Sequence, residues 1–315
     1  MDQGEHHAGR SGLRTILTDR PCAGGSARDS PTLRCSGTTA SGATEGSARL
    51  LIDVDIFGNK LDKVAEAIKF LQDAEPPEGF YVAFSGGKDS VVMYDLVKRS
   101  GVKYDAHYNI TGIDPPELYY FIRDNYPEVQ RHSPEKTIWK LIVEKMMPPT
   151  RIVRYCCEVL KERGGSGRCV VTGIRWAESA RRKKRERTEM CFKDKTKIYA
   201  HPIIEWSDND VWDYIRGNNL PYCRLYDEGF KRLGCIGCPM AGAMRKKELE
   251  RWPKYKAKYG TAFAAAAANL AVLGPEFGGR GRNAKLRWRD GQEMFDWWME
   301  EKYTKRDPDQ TVMFE

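Results

Sequence analysis

Residues 80–96 read FYVAFSGGKDSVVMYDL, and this stretch decides the fold. Phe80 to Phe84 is an aromatic and apolar run of the length of one buried strand. Ser90 to Arg99 carries a helical pattern, and Gly101 stops it. Between them lie Ser85, Gly86, Gly87, Lys88, Asp89 and Ser90. A strand, a glycine-rich turn and a helix start make an anion cradle. The glycines let backbone N–H groups approach phosphate oxygens, and the helix dipole favours the negative charge. The Walker loop needs four residues between its first glycine and its Gly-Lys-Ser/Thr, so this compact loop is of another kind. The competing reading is an ordinary tight strand-to-helix turn.

Outward from the loop, strands and helices alternate. Leu61, Val64, Ala65, Ile68 and Leu71 have helical spacing. Lys103–Ile110 and Arg168–Ile174 read as strands, and Pro116–Tyr126 and Glu135–Met146 as helices. SDNDVWDYI, from Ser207, opens with an N-cap serine and an acid three residues on, which resembles a capping box. Such alternation predicts an α/β fold, a doubly wound parallel sheet over residues 48–242. Beyond 242 the pattern is helical only, in AFAAAAANLAVL and GQEMFDWWMEEKY, giving a helical C-terminal region over 243–315. Trp288, Trp297 and Trp298 are expected in its core. Residues 1–47 are rich in Gly, Ser, Thr and Ala. They are expected to be disordered, or a spurious extension ahead of the true start, with no role for Cys22 and Cys35.

The chain has 315 residues and a net charge of +8, which favours anionic partners such as nucleotides or nucleic acid. No apolar run approaches the roughly 20 residues that cross a bilayer, and residues 1–30 lack the apolar segment of a signal peptide. A cytoplasmic location with no membrane partner is expected. Its nine cysteines are then reduced, and clustered ones point to metal or redox chemistry. Cys156 and Cys157 are adjacent in RIVRYCCEVLK, and Cys235 and Cys238 form a CxxC in LGCIGCPMAG. Four thiolates can hold zinc or a [4Fe–4S] cluster. Adjacent cysteines chelate a single ion awkwardly, whereas a cluster spreads its iron over several corners. Lys161 lies one helical turn past Cys157 and would offset the cluster's negative charge. Cys169, Cys191 and Cys223 lack such company. ARRKKRER, residues 180–187, is charged at seven of eight positions. It reads as a phosphate or nucleic-acid contact or as a solvated loop. Its place after TGIRWAES favours contact, because α/β sheets bind ligands at strand carboxyl ends.

These motifs resemble the phosphoadenosine phosphosulfate reductase family of the adenine-nucleotide α-hydrolase fold, whose PP-loop members cleave ATP between its α and β phosphates. The resemblance spans roughly residues 78–242 and rests on SGGKDS, TGIDPPELYYF from Thr111, TGIRWAESARR from Thr172, PIIEWSDNDVWDYI and LPYCRLYDEGFKRLGCIGCP. It implies nucleotide contacts from Ser85 to Ser90, Thr111, Gly112, Gly173, Arg175 and Arg181, with Glu178 orienting an arginine. Lys88 and Asp89 suit the phosphates and Mg²⁺ of ATP. With Lys161 they form the catalytic set, and Cys156, Cys157, Cys235 and Cys238 match the cluster ligands of iron–sulfur adenylylsulfate reductases.

Three departures stand beside the match. No cysteine follows Cys238 where those reductases carry a tail nucleophile, Ile110 replaces an aspartate, and the glycine loop is intact. The combination is more similar to the ATP-using, sulfur-inserting members. The leading expectation is therefore a Mg-dependent ATP pyrophosphatase that adenylates an acceptor for sulfur transfer with a [4Fe–4S] cluster. The alternatives are a sulfite-forming adenylylsulfate or phosphoadenylylsulfate reductase whose cysteine is supplied elsewhere, and a non-catalytic nucleotide-binding redox module. Candidate partners are an adenine nucleotide, a sulfur donor or reductant protein, a nucleic-acid acceptor and a second copy of the chain.

Overall fold

The computed structural model describes residues 51–54, 60–273 and 288–300, and these described residues belong to one compact unit. The expectations for residues 1–47, and for 301–303 of the last predicted helix, lie outside the described residues. A two-stranded antiparallel pair, β1 (Ile52–Val54) and β2 (Lys60–Asp62), leads into α1 (Lys63–Asp73). The Asp62 carboxylate caps α1 by accepting from the N–H groups of Val64 and Ala65. The main sheet then opens at its centre with β3 (Phe80–Ala83), whose Phe80 and Val82 are wholly buried.

After β3 come α2 (Lys88–Ser100), β4 (Tyr104–Asn109), α3 (Pro116–Asn125), β5 (Gln130–His132), α4 (Ile138–Lys145) and α5 (Tyr155–Leu160). Next are β6 (Cys169–Val171), β7 (Thr188–Met190), β8 (Ile198–Ala200) and α6 (Asp208–Gly217). The strand order is β5-β4-β3-β6-β8-β7, parallel except for β7, which runs antiparallel to β8. From β3 the chain builds outward through β4 to β5, then returns to place β6 on the other side of β3. The strand order therefore reverses between β3 and β6. In open α/β sheets the crevice outside the carboxyl ends at such a point is where ligands bind.

The expected parallel α/β sheet is observed with one difference, the antiparallel edge strand. β5 reads Gln-Arg-His and β7 Thr-Glu-Met, three residues each. Neither carries the apolar run or alternation that marks a strand in sequence. The Ser207 capping box is present: Ser207 Oγ accepts from the Asp210 N–H at 3.1 Å, and Asp210 Oδ2 accepts from the Ser207 N–H at 2.8 Å.

The helical region comprises α7 (Met244–Arg251), α8 (Pro253–Leu273) and α9 (Gly291–Glu300). α8 packs on α4, α7 and α9. Gly291 lies so close to α8 that a Cβ there would meet the Ala264 backbone at 2.4 Å. Trp288 and Trp298 are buried in this region, as expected, and Trp297 is half-buried against the core. No helix among the described residues is long and apolar enough to cross a membrane.

Candidate active site

The glycine loop joins β3 to α2 at the point where strand order reverses. Gly86 has φ +69°, and a Cβ there would meet Ile122 and Leu118 of α3 at 2.7–2.8 Å, so only glycine fits this turn. Gly87 is the N-cap of α2 and offers no side chain to the helix end. Ser90 Oγ ties the loop by donating to the Gly87 carbonyl at 2.8 Å and accepting from the Ser85 N–H at 3.3 Å. The Lys88 N–H, at the first turn of α2, donates to the Tyr226 hydroxyl at 2.8 Å. Gly173, in the turn after β6, packs against the loop from the other side. A Cβ there would stand 2.8 Å from the Asp89 carbonyl oxygen and 3.1 Å from the Ser90 nitrogen.

Beneath the loop lies a network of two cations and two carboxylates. Arg175 is 1% exposed. Its Nε donates to Asp89 Oδ1 and its Nη2 to Asp208 Oδ1, each at 2.6 Å, while Nη1 donates to the Trp206 carbonyl at 3.0 Å. Lys88 Nζ reaches the same two carboxylate oxygens at 3.0 Å. The fork of the guanidinium thus spans two acids that come from α2 and α6. Burial alone would raise the pKa of Asp208. The hydrogen bonds and charges of Lys88 and Arg175 more than offset this and hold it below the ordinary carboxylate value.

These contacts refine the sequence expectations. Lys88 and Asp89 are brought together at the loop. Arg175, expected to contact phosphate, instead points inward, because its planar fork is taken up by the two carboxylates and the Trp206 carbonyl. Glu178 caps the turn by accepting from the Arg175 N–H at 3.1 Å, and it pairs with Arg182 rather than orienting the guanidinium of Arg175 or Arg181. Arg181 is exposed. It is Arg182 that faces the network: burial, then the neighbouring Arg232, Arg185 and Arg175, lower its pKa to about 10, with Asp89 opposing. Cations held this close to one another leave an excess of positive charge beside the loop, which an anion would relieve. Asp208, Tyr226 and Arg182 were not singled out in sequence. Asp208 is the first residue of α6, directly after the recognised Ser207 cap, so the helix start was legible but its role at the loop was not.

The cysteine segments meet at the carboxyl end of β4, where the Asn109 side chain donates to the Lys161 carbonyl and Thr111 meets Cys235. α5 opens with Tyr155-Cys156-Cys157, and the Arg154 guanidinium donates to Cys157 Sγ at 3.3 Å. Cys157 is held below the ordinary thiol pKa by its hydrogen bond from Cys156, aided by Arg154 and Lys161. Cys156 is pushed up by that bond, by burial, and by the charges of Cys157, Cys235 and Cys238. Cys235 is raised to about 11, chiefly by burial. Lys161 caps α5 through its N–H to the Cys157 carbonyl at 2.8 Å. Its ammonium lies in the field of Cys235, Asp114, Cys238 and Cys157, and that field outweighs burial and raises its pKa.

Thr111, 1% exposed, joins the two halves of the site. It follows β4, the strand beside β3, and its hydroxyl meets Cys235 Sγ at 3.6 Å. Two residues on, the Ile113 carbonyl accepts from the Ile236 N–H at 2.7 Å, inside the CxxC. Gly112 has φ +75°, which permits this turn. All four expected cysteines thus share one electrostatic environment, and Cys169, Cys191 and Cys223 lie apart from it. Among the described residues, no three His, Cys, Asp or Glu groups stand in the arrangement that holds a single metal ion. Thiolates on one zinc would lie roughly 3.8 Å apart, given tetrahedral Zn–S bonds of about 2.3 Å.

Comparison with known proteins agrees with this layout. The model of the phosphoadenosine phosphosulfate reductase domain matches residues 79–241. An uncharacterized protein of Methanocaldococcus jannaschii is 34% identical over 197 residues, which cover 56% of this chain and 40% of that protein. The adenosine 5'-phosphosulfate reductase of Oceanobacillus iheyensis is 31% identical over 197 residues, covering 56% of this chain and 79% of that one. A probable FAD synthase of Schizosaccharomyces pombe is 28% identical over 184 residues, covering 56% and 67%. The glycine loop, the Gly173–Arg175 turn and the CxxC all fall inside the matched segment, and the chain belongs to the phosphoadenosine phosphosulfate reductase domain family.

Proposed function

We propose that this chain is an ATP-using enzyme of the family, which transfers the adenylyl group of ATP to an acceptor in preparation for sulfur transfer. One observation carries the reading: the intact Ser85–Ser90 loop at the strand reversal, with Lys88 and Asp89 at the start of α2 and a cationic rim led by Arg182. ATP offers a pyrophosphate to expel, and this loop has the backbone donors and charge to hold one. The relative named a probable FAD synthase supports reading the chain as a nucleotide-handling enzyme.

The acceptor attacks the α-phosphorus, the bond to the α–β bridging oxygen breaks, and pyrophosphate leaves with that electron pair. A sulfur nucleophile then displaces AMP. Lys88 balances charge on the departing phosphates, and Asp89, fixed by Arg175, is the carboxylate that would hold Mg²⁺. Cys156, Cys157, Cys235 and Cys238 would hold a [4Fe–4S] cluster. Four thiols in one field with Arg154 and Lys161 beside them fit an anionic cluster. When bound, the cluster would supply electrons for reductive sulfur chemistry.

The loop reading is tested by Lys88→Ala and Asp89→Asn. Lys88→Ala loses a charged contact of about 1.5–3 kcal/mol, so ATP binding measured by calorimetry weakens roughly 10- to 150-fold. Asp89→Asn depresses Mg²⁺-dependent turnover more than nucleotide binding. Parental binding and turnover in both variants would reduce the loop to a turn.

A further inference from the structure

The segment matched by the family model stops at residue 241, yet three side chains beyond it reach back to the cysteine segments. Glu248 of α7 accepts from the Gly237 N–H at 2.9 Å. The Tyr259 hydroxyl of α8 donates to the Ile236 carbonyl at 2.9 Å. Both backbone groups lie between Cys235 and Cys238. Trp298 of α9 donates its indole N–H to the Pro149 carbonyl at 2.9 Å, in the connection that leads into α5 and its paired cysteines. In that same connection the Tyr155 hydroxyl donates to the Met147 carbonyl at 2.7 Å, so the start of α5 is tied to the stretch that Trp298 holds.

Trp298 also touches the CxxC turn. Gly237 has φ +73°, and a Cβ there would stand 2.9 Å from the Tyr259 ring and 3.1 Å from the Trp298 ring. The missing side chain lets both rings close on the turn. They pack on each other with centroids 4.7 Å apart, and the Arg245 guanidinium lies over Trp298 at 4.8 Å. Tyr259 and Trp298 are 1% and 0% exposed, so the hydrogen bonds they give to the Ile236 and Pro149 carbonyls are shielded from water.

We propose that the C-terminal helices form a clamp in which Tyr259 and Trp298 are positioning residues: Tyr259 fixes the CxxC turn, and Trp298 holds that turn in register with the Cys156–Cys157 segment. The two cysteine pairs come from distant parts of the chain, and β-sheet pairing sets neither of their loops. A brace that touches both adds to the hold that the Ile113 carbonyl already gives the CxxC turn. The proposal rests on the four-cysteine site described above for its purpose, but not for its test.

The full chain, freed of metal by chelator under reducing and anaerobic conditions, is alkylated for increasing times, and each cysteine is followed by mass spectrometry. Cys223, 1% exposed and outside the four-cysteine site, reports general loosening. In Tyr259→Phe, alkylation of Cys235 and Cys238 accelerates about fivefold or more, as loss of one buried hydrogen bond implies, while Cys223 holds its rate. In Trp298→Phe all four site cysteines accelerate and Cys223 again does not. Unchanged rates at the four cysteines would overturn the clamp. Equal acceleration at Cys223 would overturn it too, by showing general loosening. Acceleration of Cys235 and Cys238 alone in Trp298→Phe would overturn the bridging role. Because the protein is metal-free, failure to find iron in purified protein defeats the cluster reading and leaves this result standing.

Discussion

Replacing Arg175 by methionine probes the charge network most sharply. Methionine fills much of the same space, so packing loss is small. Three hydrogen bonds disappear. The bond to the Trp206 carbonyl is buried, and leaving that acceptor unpaired costs about 1–3 kcal/mol. Breaking a fully buried ion pair costs about 3–5 kcal/mol, but that figure does not apply in full here. The Asp89 side chain is 23% exposed and keeps Lys88 as a partner. The Asp208 side chain is 68% exposed, and pairs that face water contribute little. Together the substitution should cost about 2–4 kcal/mol in urea unfolding followed by circular dichroism. Arg175→Lys retains the charge but not the fork, and should recover less than half of the loss. Both variants should also bind ATP more weakly, because Asp89 loses its anchor. A cost below about 1 kcal/mol, or full recovery with lysine, would show that the fork does not organise these carboxylates.

Three further outcomes follow from the geometry. Gly173→Ala drives a Cβ into the backbone of Asp89 and Ser90, so nucleotide binding should fall at least tenfold in calorimetry while the sheet, read by circular dichroism, persists. Burial raises the Glu248 pKa from 4.5 to about 7. The folded state then holds a proton that the unfolded state releases, so the stability contributed by Glu248 is full below its unfolded value and is lost as pH rises to about 7. The change amounts to about 3 kcal/mol, and urea midpoints for Glu248→Gln should lack this pH dependence. Cys235→Ser and Cys238→Ser should each bleach the broad visible absorption of anaerobically purified protein and lower its iron from about four per chain, whereas Cys223→Ser should not. A colourless parent with one zinc per chain would replace the cluster by a single ion.

Legibility in the sequence followed how local each signal is. The glycine loop was readable because its strand, turn and helix lie within seventeen residues and each obeys its own pattern. β3, β4, β6 and the Ser207 cap were readable for the same reason. β5 and β7 were not, since three mostly polar residues at a sheet edge carry no period. The four cysteines were found by their spacing, and the fold brings them to one environment. The inward turn of Arg175 could not be seen, because it depends on Asp208, which is distant in sequence and arrives on another helix. The clamp was equally hidden. Trp298 read as an ordinary core residue and Tyr259 carried no signal, and only the folded chain shows their polar atoms meeting the backbone of the cysteine loops.

The products formed from nucleotide test the central claim most directly. The protein, purified anaerobically, is given ATP and Mg²⁺ with candidate acceptors, and separately adenosine 5'-phosphosulfate with a thiol reductant. AMP, pyrophosphate and sulfite are measured in each. The account predicts AMP and pyrophosphate in equal amounts from ATP, abolished by Lys88→Ala, with sulfite at background. Steady sulfite release from adenosine 5'-phosphosulfate, with ATP untouched, would contradict it.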